Sequence, residues 1–235
     1  MEASFDRRGA APKDVRALVR VLAVSVSVGI SASCGDAESH ENAPPDEKLF
    51  FPLVPDGDSS NLNFFGLSQG QLSVVDGVLT CAAGNIGYWY TADSYQDFEL
   101  RFDFRFERPQ DLVDEEDFAG NSGYLIYMSG PDKLWPASIE VQGMNLEVGR
   151  IFAIGGASRV MNEQFIDVRR RVRRPVGEWN ELVIHSTGGA LEATLNGEVV
   201  GRSQPGDMTE GPIGFQCEGA RIQWRDIKIS TKASL

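Results

Sequence analysis

Asp97-Phe-Glu-Leu-Arg-Phe-Asp-Phe-Arg-Phe106 is the clearest pattern in the chain. Phe98, Leu100, Phe102, Phe104 and Phe106 fall on one side of an extended backbone, and Glu99, Arg101, Asp103 and Arg105 on the other. Side chains alternate across a strand with a period of two, so these residues predict a long strand with one buried face. The same period continues outward. Leu72–Val75 and Val78–Cys81 flank Asp76-Gly77, and Leu191–Leu195 and Val199–Gly201 flank Asn196-Gly197. Both dipeptides signal two-residue hairpins, because the favoured turn needs two left-handed residues. Tyr88–Thr91, Gly123–Met128, Ile139–Gln142, Arg150–Ile154, Phe165–Val172, Trp179–Ser186, Ile213–Gln216 and Arg221–Ser230 are further strand candidates. No stretch of twelve or more residues carries a capped helical stripe, and no fixed-period repeat marks a propeller or solenoid. The pattern predicts an all-β fold, a two-sheet antiparallel jelly-roll sandwich.

The ends of the chain read differently. Arg7, Arg8, Lys13, Arg16 and Arg20 precede the apolar run Val21–Ile30, which is too short for the ~20 residues a spanning helix needs. Residues 1–34 therefore predict an export signal. Cys34, after Ser31-Ala32-Ser33, resembles a lipoprotein cleavage site and is the expected lipidation point. Residues 35–48 hold no large apolar side chain and predict a flexible tether. Residues 49–235 then form a single domain, long enough for one sizeable core. The expected location is exported, either periplasmic or as a membrane-anchored bacterial lipoprotein that touches the membrane only through its lipid.

Among 235 residues, 22 Lys and Arg stand against 34 Asp and Glu, a net charge of −12. Without residues 1–34 the balance is 17 against 31, or −14. Nucleic acid is not an expected partner, because neutralising phosphates needs a basic face. The only histidines, His40 and His185, exclude a multi-histidine metal site within one chain. No CxxC, P-loop or dinucleotide fingerprint is present, so no nucleotide or redox cofactor is expected.

Several motifs have simpler readings. Gly66-Leu-Ser-Gln-Gly70 fits the nucleophile-elbow pattern but lacks the helix that motif requires, so a turn is expected. Asp111–Asp117 offers oxygen ligands for calcium but reads first as a solvated loop. In a strand, Arg169, Arg171 and Arg173 would share one face and meet either an anionic sugar or the protein's own acids. His185 has no nucleophile partner in sequence. Cys81 and Cys217 could pair in an oxidising compartment, but their strand contexts favour two buried thiols.

Polar residues inside strands carry the functional signal. Glu140 and Gln142 share one face of Ser138-Ile-Glu-Val-Gln142, predicted to point towards solvent, with Ile139 and Val141 opposite. Asn121-Ser-Gly123 opens another strand that continues through Tyr124 and Tyr127. Tyr88, Trp89, Tyr90 and Trp135 offer flat faces for stacking on sugar rings or for the core. A carboxylate, amides and aromatics on one sheet suit a carbohydrate.

The globular part resembles the bacterial 3-keto-disaccharide hydrolase family, also described as 3-keto-glucoside 1,2-lyase/hydratase. The resemblance runs through Asp76-Gly-Val-Leu79, Tyr95-Gln-Asp-Phe-Glu-Leu100, Gly120-Asn-Ser-Gly123, Ser138-Ile-Glu-Val-Gln142, Gly177-Glu-Trp-Asn180, Leu195-Asn-Gly197, Gly211-Pro-Ile-Gly-Phe-Gln216 and Trp224-Arg-Asp-Ile-Lys-Ile229. It implies a concanavalin-like jelly roll and cleavage of 3-keto-glycosides. A carboxylate takes the C2 proton, the C1 substituent is eliminated, and water adds, for net hydrolysis. The resemblance also implies Glu140 as base or metal ligand and Asn121, Gln142 and Gln216 as substrate-binding amides. Tyr127 and Trp135 complete the expected substrate contacts, and Glu218 joins Glu140 as ligand of one divalent ion. Family members often have Arg at the place of Tyr127 and His at the place of Glu218. The alternative expectation is a non-catalytic carbohydrate-binding lipoprotein, and a third is a tethered adhesion module.

Overall fold

The computed structural model describes residues 48–54, 61–68 and 70–231. The expected export signal, Cys34 and the tether up to residue 47 lie outside them. The described elements are β1 (Phe51–Pro52), β2 (Leu62–Phe65), β3 (Leu72–Val75), β4 (Val78–Cys81), β5 (Ile86–Thr91), β6 (Phe98–Phe106), β7 (Gly123–Ser129), β8 (Ala137–Gln142), β9 (Ile151–Ile154), β10 (Asn162–Gln164), α1 (Ile166–Val172), β11 (Asn180–Thr187), β12 (Ala190–Leu195), β13 (Glu198–Ser203), β14 (Gly214–Glu218) and β15 (Ile222–Thr231). Every pairing between strands is antiparallel.

Nine strands form one sheet in the order β10-β13-β12-β11-β6-β15-β4-β3, with β1 added beside β15; six form the other in the order β2-β5-β14-β7-β8-β9. This is the two-sheet jelly-roll sandwich expected from the alternating pattern. Strand β6 is central to the larger sheet, between β11 and β15. Its Phe98, Leu100, Phe102, Phe104 and Phe106 are all buried, whereas Arg101 is exposed and Asp103 and Arg105 half-buried. The outer faces of Arg105 and Arg225 stack on Trp179, with guanidinium carbons 4.4 and 4.2 Å from its ring. Between the sheets, Trp89 lies flat on Phe215 at 4.1 Å, and Phe102, Tyr124 and Trp224 close around that pair at 5.1–5.9 Å.

Both predicted hairpins form. Asp76 and Gly77 have φ of 51° and 75°, and Asn196 and Gly197 have 48° and 90°, the left-handed values a type I′ turn demands. Asn196 also donates its side-chain amide to the carbonyl of Val172 at 2.7 Å, satisfying an end group of α1.

Two expectations are overturned. Phe165–Val172 is not a strand: residues 166–172 form α1. Phe165, Val168, Arg169 and Val172 recur at the i, i+3, i+4, i+7 spacing of a helix face, and Arg173 donates its backbone N–H to Arg169 at 3.0 Å. Arg169, Arg171 and Arg173 therefore do not share a face: Arg169 is buried, Arg171 is exposed and pairs with Glu198, and Arg173 is half-buried. Cys81 and Cys217 are not free thiols. They form a disulfide across 6.2 Å between Cα atoms and 136 positions of sequence, joining β4 of one sheet to β14 of the other. The alternation that buried both cysteines also aimed them at each other across the sandwich.

Closing so long a loop restricts the unfolded chain by up to about 5 kcal/mol in the chain-entropy account. Peptide mapping after alkylation in denaturant without reductant is expected to find Cys81 and Cys217 linked and unmodified. The Cys81→Ala/Cys217→Ala protein is expected to melt at least 5 °C lower and to lose all sensitivity to reductant, since about 1 kcal/mol already moves Tm by a few degrees. Alkylated Cys81 and Cys217 would refute the linkage.

Candidate functional site

The candidate site is built on the outer face of the six-stranded sheet. In β14, Phe215 and Cys217 face the core, so Gln216 and Glu218 face outward. In β7, Tyr124 and Ile126 pack in the core, which turns Gly123 and Leu125 outward. In β8, Ile139 and Val141 point inward, and Glu140 and Gln142 outward. Registry brings these residues into rows. Gly123 lies opposite Gln142, and Leu125 opposite Glu140. Gln216 lies opposite Tyr88, and Glu140 opposite Phe152. Asn121 is bridged directly to Glu218.

Gly123 is the centre of this arrangement. A Cβ placed there would collide with Oε1 of Gln216 and with the carboxyl group of Glu140, whose Cδ would be 2.9 Å away. The absence of a side chain at Gly123 is what lets a carboxylate from β8 and an amide from β14 meet above β7.

Glu140, Gln142 and Gln216 are nevertheless buried, Glu140 being 5 % exposed and Gln216 1 %, and Glu218 is half-buried. The expectation that Glu140 and Gln142 point into solvent is therefore corrected. A second apolar cluster of Tyr88, Leu125 and Met128, with Phe65, Tyr90 and Ile154 against it, occupies the neighbouring rows of the same face. The connection between β7 and β8 covers it, Tyr88 donating its hydroxyl to the Lys133 carbonyl at 3.1 Å and Tyr90 its own to Asp132 at 3.0 Å.

Burial sets the protonation of the two carboxyl groups. Glu140 forms no hydrogen bond or ion pair among the described residues, and its pKa is pushed up to about 8. Loss of water is the main cause, the charge of Glu218 adds to it, and Arg150 opposes. Burial alone pushes Glu218 up to about 7. The charge of Glu218 thus favours the protonated form of Glu140. Among the described residues, Oδ1 of Asn121, both side-chain atoms of Gln216 and Oε2 of Glu218 are buried without a hydrogen-bond partner. Native proteins leave few such groups, and here they gather beside one another.

The structure brings together Glu140, Gln216, Glu218 and Asn121 of the residues expected from sequence, with Gln142 beside them. Gln142 is partly engaged in local structure, its side-chain oxygen accepting from the backbone of Gly143 at 2.9 Å and Met144 at 3.0 Å. Tyr127 is elsewhere. A bulge between Ile126 and Ser129, with Tyr127 at φ 58°, turns its ring into the core against Phe98, where its hydroxyl meets Ser186 and the Gln96 carbonyl. Trp89 is likewise core, whereas Trp135 is 45 % exposed on the β7–β8 connection. Gly123 and Arg150 were not singled out in sequence. Gly123 could have been found as the residue that opens a gap opposite Glu140, while Arg150 carried no local signal.

The other motifs resolve simply. The Ser68 carbonyl accepts from the backbone N–H of Gln71 ahead of β3, and among the described residues no helix follows it to form an elbow. Glu115, from the acidic stretch, accepts from the Val176 N–H at 2.8 Å and pairs with Arg108. His185 lines a cavity of about 390 Å³ with Glu163, Glu192 and Arg202, sharing no residue with the Glu140 site. Among the described residues no three His, Cys, Asp or Glu side chains are grouped to hold a metal, and no helix is long and apolar enough to cross a membrane.

The site is thus a carboxyl pair, Glu140 buried and Glu218 half-buried, beside amides in a gap opened by glycine on a jelly-roll sheet. The family model described as 3-keto-alpha-glucoside-1,2-lyase-like domain matches residues 46–230. The chain belongs to that family, and is thereby a carbohydrate-active domain. No curated protein matches it. Two candidate glycosyl hydrolases from Parabacteroides distasonis ATCC 8503 share its fold at 23 % and 18 % identity, each with a TM-score of 0.56; both align over 78 % of this chain and over 100 % and 94 % of their own. The β-glucanase of Bacillus licheniformis is similar at 10 % identity and a TM-score of 0.50, over 79 % of this chain and 98 % of its own.

The raised carboxyl pKa values have a thermodynamic consequence. An unfolded Glu releases its proton near 4.5, whereas the folded pair retains protons to about 7 and 8. Between these limits the native state binds more protons, so stability falls as pH rises through the window, and the full cost is present above it. In EDTA-containing buffer, the unfolding free energy is expected to fall between pH 5 and pH 8.5. Glu140→Gln should flatten that fall and be more stable than wild type at pH 8.5 by up to about 5 kcal/mol, at roughly 1.4 kcal/mol per pKa unit. Denaturant titrations at both pH values check this, and a pH-independent wild type would contradict the burial argument.

Proposed function

We propose that the domain cleaves 3-keto-glycosides by eliminating the C1 substituent and adding water to the product. The observation that carries this reading is the pair Glu140, buried, and Glu218, half-buried, both raised towards neutral pKa beside unpartnered amides. A ketone at C3 makes the C2 proton acidic, because the electrons left behind spread onto the C3 oxygen. Glu140, in its ionised form, accepts that proton, and a carboxylate with pKa near 8 is a far stronger base than one in water. The enolate electrons then form the C1–C2 double bond as the C1–O bond breaks, and the leaving oxygen takes a proton. Water adds at C1 and a proton returns to C2, so the balance is hydrolysis. Gln216 and Asn121, with polar atoms unpaired in the protein, supply hydrogen bonds that orient sugar hydroxyls.

The donor set fits a hard divalent cation: carboxylate oxygens from Glu140 and Glu218, and amide oxygens from Gln216 and Asn121, with Oε2, Oε1 and Oδ1 of the last three unpartnered among the described residues. Such an ion, when bound, would stabilise negative charge on the C3 oxygen. The disulfide supports a location outside the reducing cytosol, in keeping with export and lipid anchoring at Cys34.

The test follows aglycone release from a chromogenic 3-keto-glucoside. Glu140→Gln is expected to lower kcat by at least about 100-fold, the usual scale of general-base catalysis. EDTA is expected to abolish turnover and a divalent salt to restore it. Sugar binding with no release by the wild-type protein would replace the lyase reading with that of a carbohydrate-binding module.

A further inference from the structure

Among the described residues Arg169 is a buried, poorly satisfied cation. It occupies the inner face of α1, among Phe165, Val168 and Val172, and is only 3 % exposed. Among the described residues Arg169 forms no ion pair; Nη2 reaches the Val200 carbonyl at a long 3.4 Å, and Nε has no partner. A buried guanidinium held so weakly is expensive unless an anion completes it. Burial weakens its hold on the proton, Glu147 opposes this, and the nearby charges of Arg150 and Arg173 reinforce it.

The surroundings repeat the imbalance. Arg173 donates to the Asn145 carbonyl at 2.9 Å and approaches Glu116 at only 3.5 Å. Arg150 pairs with Glu147 at 2.7 Å but keeps a buried, unpartnered Nε. Asn145 is itself buried, with an unpartnered Nδ2. Every unsatisfied side-chain atom in this neighbourhood is a donor: Arg169 Nε, Arg150 Nε and Asn145 Nδ2. Three guanidinium groups face two carboxylates, one of them distant, in a chain whose net charge is −12. Orphan donors with excess positive charge are the complement of an oxyanion, and guanidinium groups are the side chains best shaped to hold one.

This cluster adjoins the carboxylate site. Arg150 accepts from the backbone of Gln142 at 2.7 Å, in the row that holds Gly123 and Gln216. Asn145 donates its N–H to Gly120 at 3.0 Å, and Gly143 donates to Ser122 at 2.9 Å, either side of Asn121. We infer that Arg169, Arg150, Arg173 and Asn145 form a subsite for a compact oxyanion carried by the carbohydrate substrate: a carboxylate, sulfate or phosphate beside the bond that is cleaved. The placement on the substrate rests on the lyase reading of the adjacent site; the affinity for an oxyanion does not.

Arg169→Met separates this role from that of a structural strut. Replacing a poorly paired buried charge by an apolar side chain of similar length is neutral or stabilising, so the variant is expected to melt at or above the wild-type temperature. Arg173→Gln, at a more accessible position, provides a second variant. Sodium sulfate is expected to raise the wild-type melting temperature saturably above sodium chloride at equal ionic strength, and neither variant should respond. Calorimetry with glucuronate and glucose, and kinetics with a 3-keto-glucuronide and a 3-keto-glucoside, extend the test to the substrate. The acidic sugar is expected to bind, and to show a KM, about tenfold better, the effect of one charge-assisted contact, and Arg169→Met should erase the difference. No sulfate-specific stabilisation, or an Arg169→Met protein that melts well below wild type, would overturn the subsite. Sulfate binding without preference for the acidic sugar would overturn its placement on the substrate and leave a free-anion site. Preference in binding, with neither keto-sugar turned over, would uphold the subsite and defeat only the lyase reading.

Discussion

Trp89 lying flat on Phe215 is the contact on which the rest of the sandwich depends. It joins β5 to β14 on the inner face, and Phe102 and Trp224 of the opposite sheet close on it edgewise. Because side chains alternate strictly, fixing Phe215 inward also fixes Gln216 and Glu218 outward. A slip of one residue would bury the carboxylate of Glu218 among aromatic rings and expose Phe215, reversing every favourable burial at once. The disulfide at Cys217 acts on the same strand and in the same sense, between the two outward-facing site residues. The aromatic core thus determines the register, and the register determines the site.

The site itself works against folding. Glu140 is taken out of water, Glu218 buries an oxygen without a hydrogen-bonded partner, Gln216 loses both ends of its amide to burial, and Arg169 contributes a guanidinium where a hydrocarbon would pack. None of these helps hold two sheets together. The fold tolerates them because the opposite face of the same strands carries Tyr124, Ile126, Ile139, Val141, Phe215 and Cys217, all but fully buried. Local choices that conflict with stability while neighbouring choices agree with it are the mark of residues retained for chemistry.

This division also explains what the sequence revealed. Strict alternation in Asp97–Phe106, and left-handed residues at Asp76-Gly77 and Asn196-Gly197, act over a few neighbours and were readable directly. The pairing of Glu140 with Glu218 was not, because 78 positions separate them in sequence and β7 stands between their strands in the sheet; only resemblance to a family placed them together. The outward face of β8 was read as solvated since nothing local says that Tyr88, Leu125 and Met128 build a second apolar cluster there. Seven residues of α1 are too few to display a helical stripe, and four arginines within Arg169–Arg173 disguised the face that packs. Tyr127 left the site through a bulge, which shifts a side chain across the sheet without any mark in composition.

One asymmetry along β8 and its neighbours bears on orientation. Around Glu140 the unpartnered atoms are mostly acceptors: Asn121 Oδ1, Gln216 Oε1 and Glu218 Oε2. Around Arg169 they are all donors. A neutral sugar, whose hydroxyls both donate and accept, would satisfy the first set and leave the second with only half of what it can bond. A molecule that presents hydroxyls at one end and an acceptor-only group at the other satisfies both. The two sets lie at opposite sides of Gln142, whose backbone pairs with Arg150 and whose register partner is Gly123. On the proposed lyase and oxyanion readings, a ligand lying along that row would have one favoured direction, with its anionic end towards α1 and its reactive carbon over Gly123. The reverse direction would bring an anion against Glu140 and Glu218, where like charge and low dielectric raise its cost together.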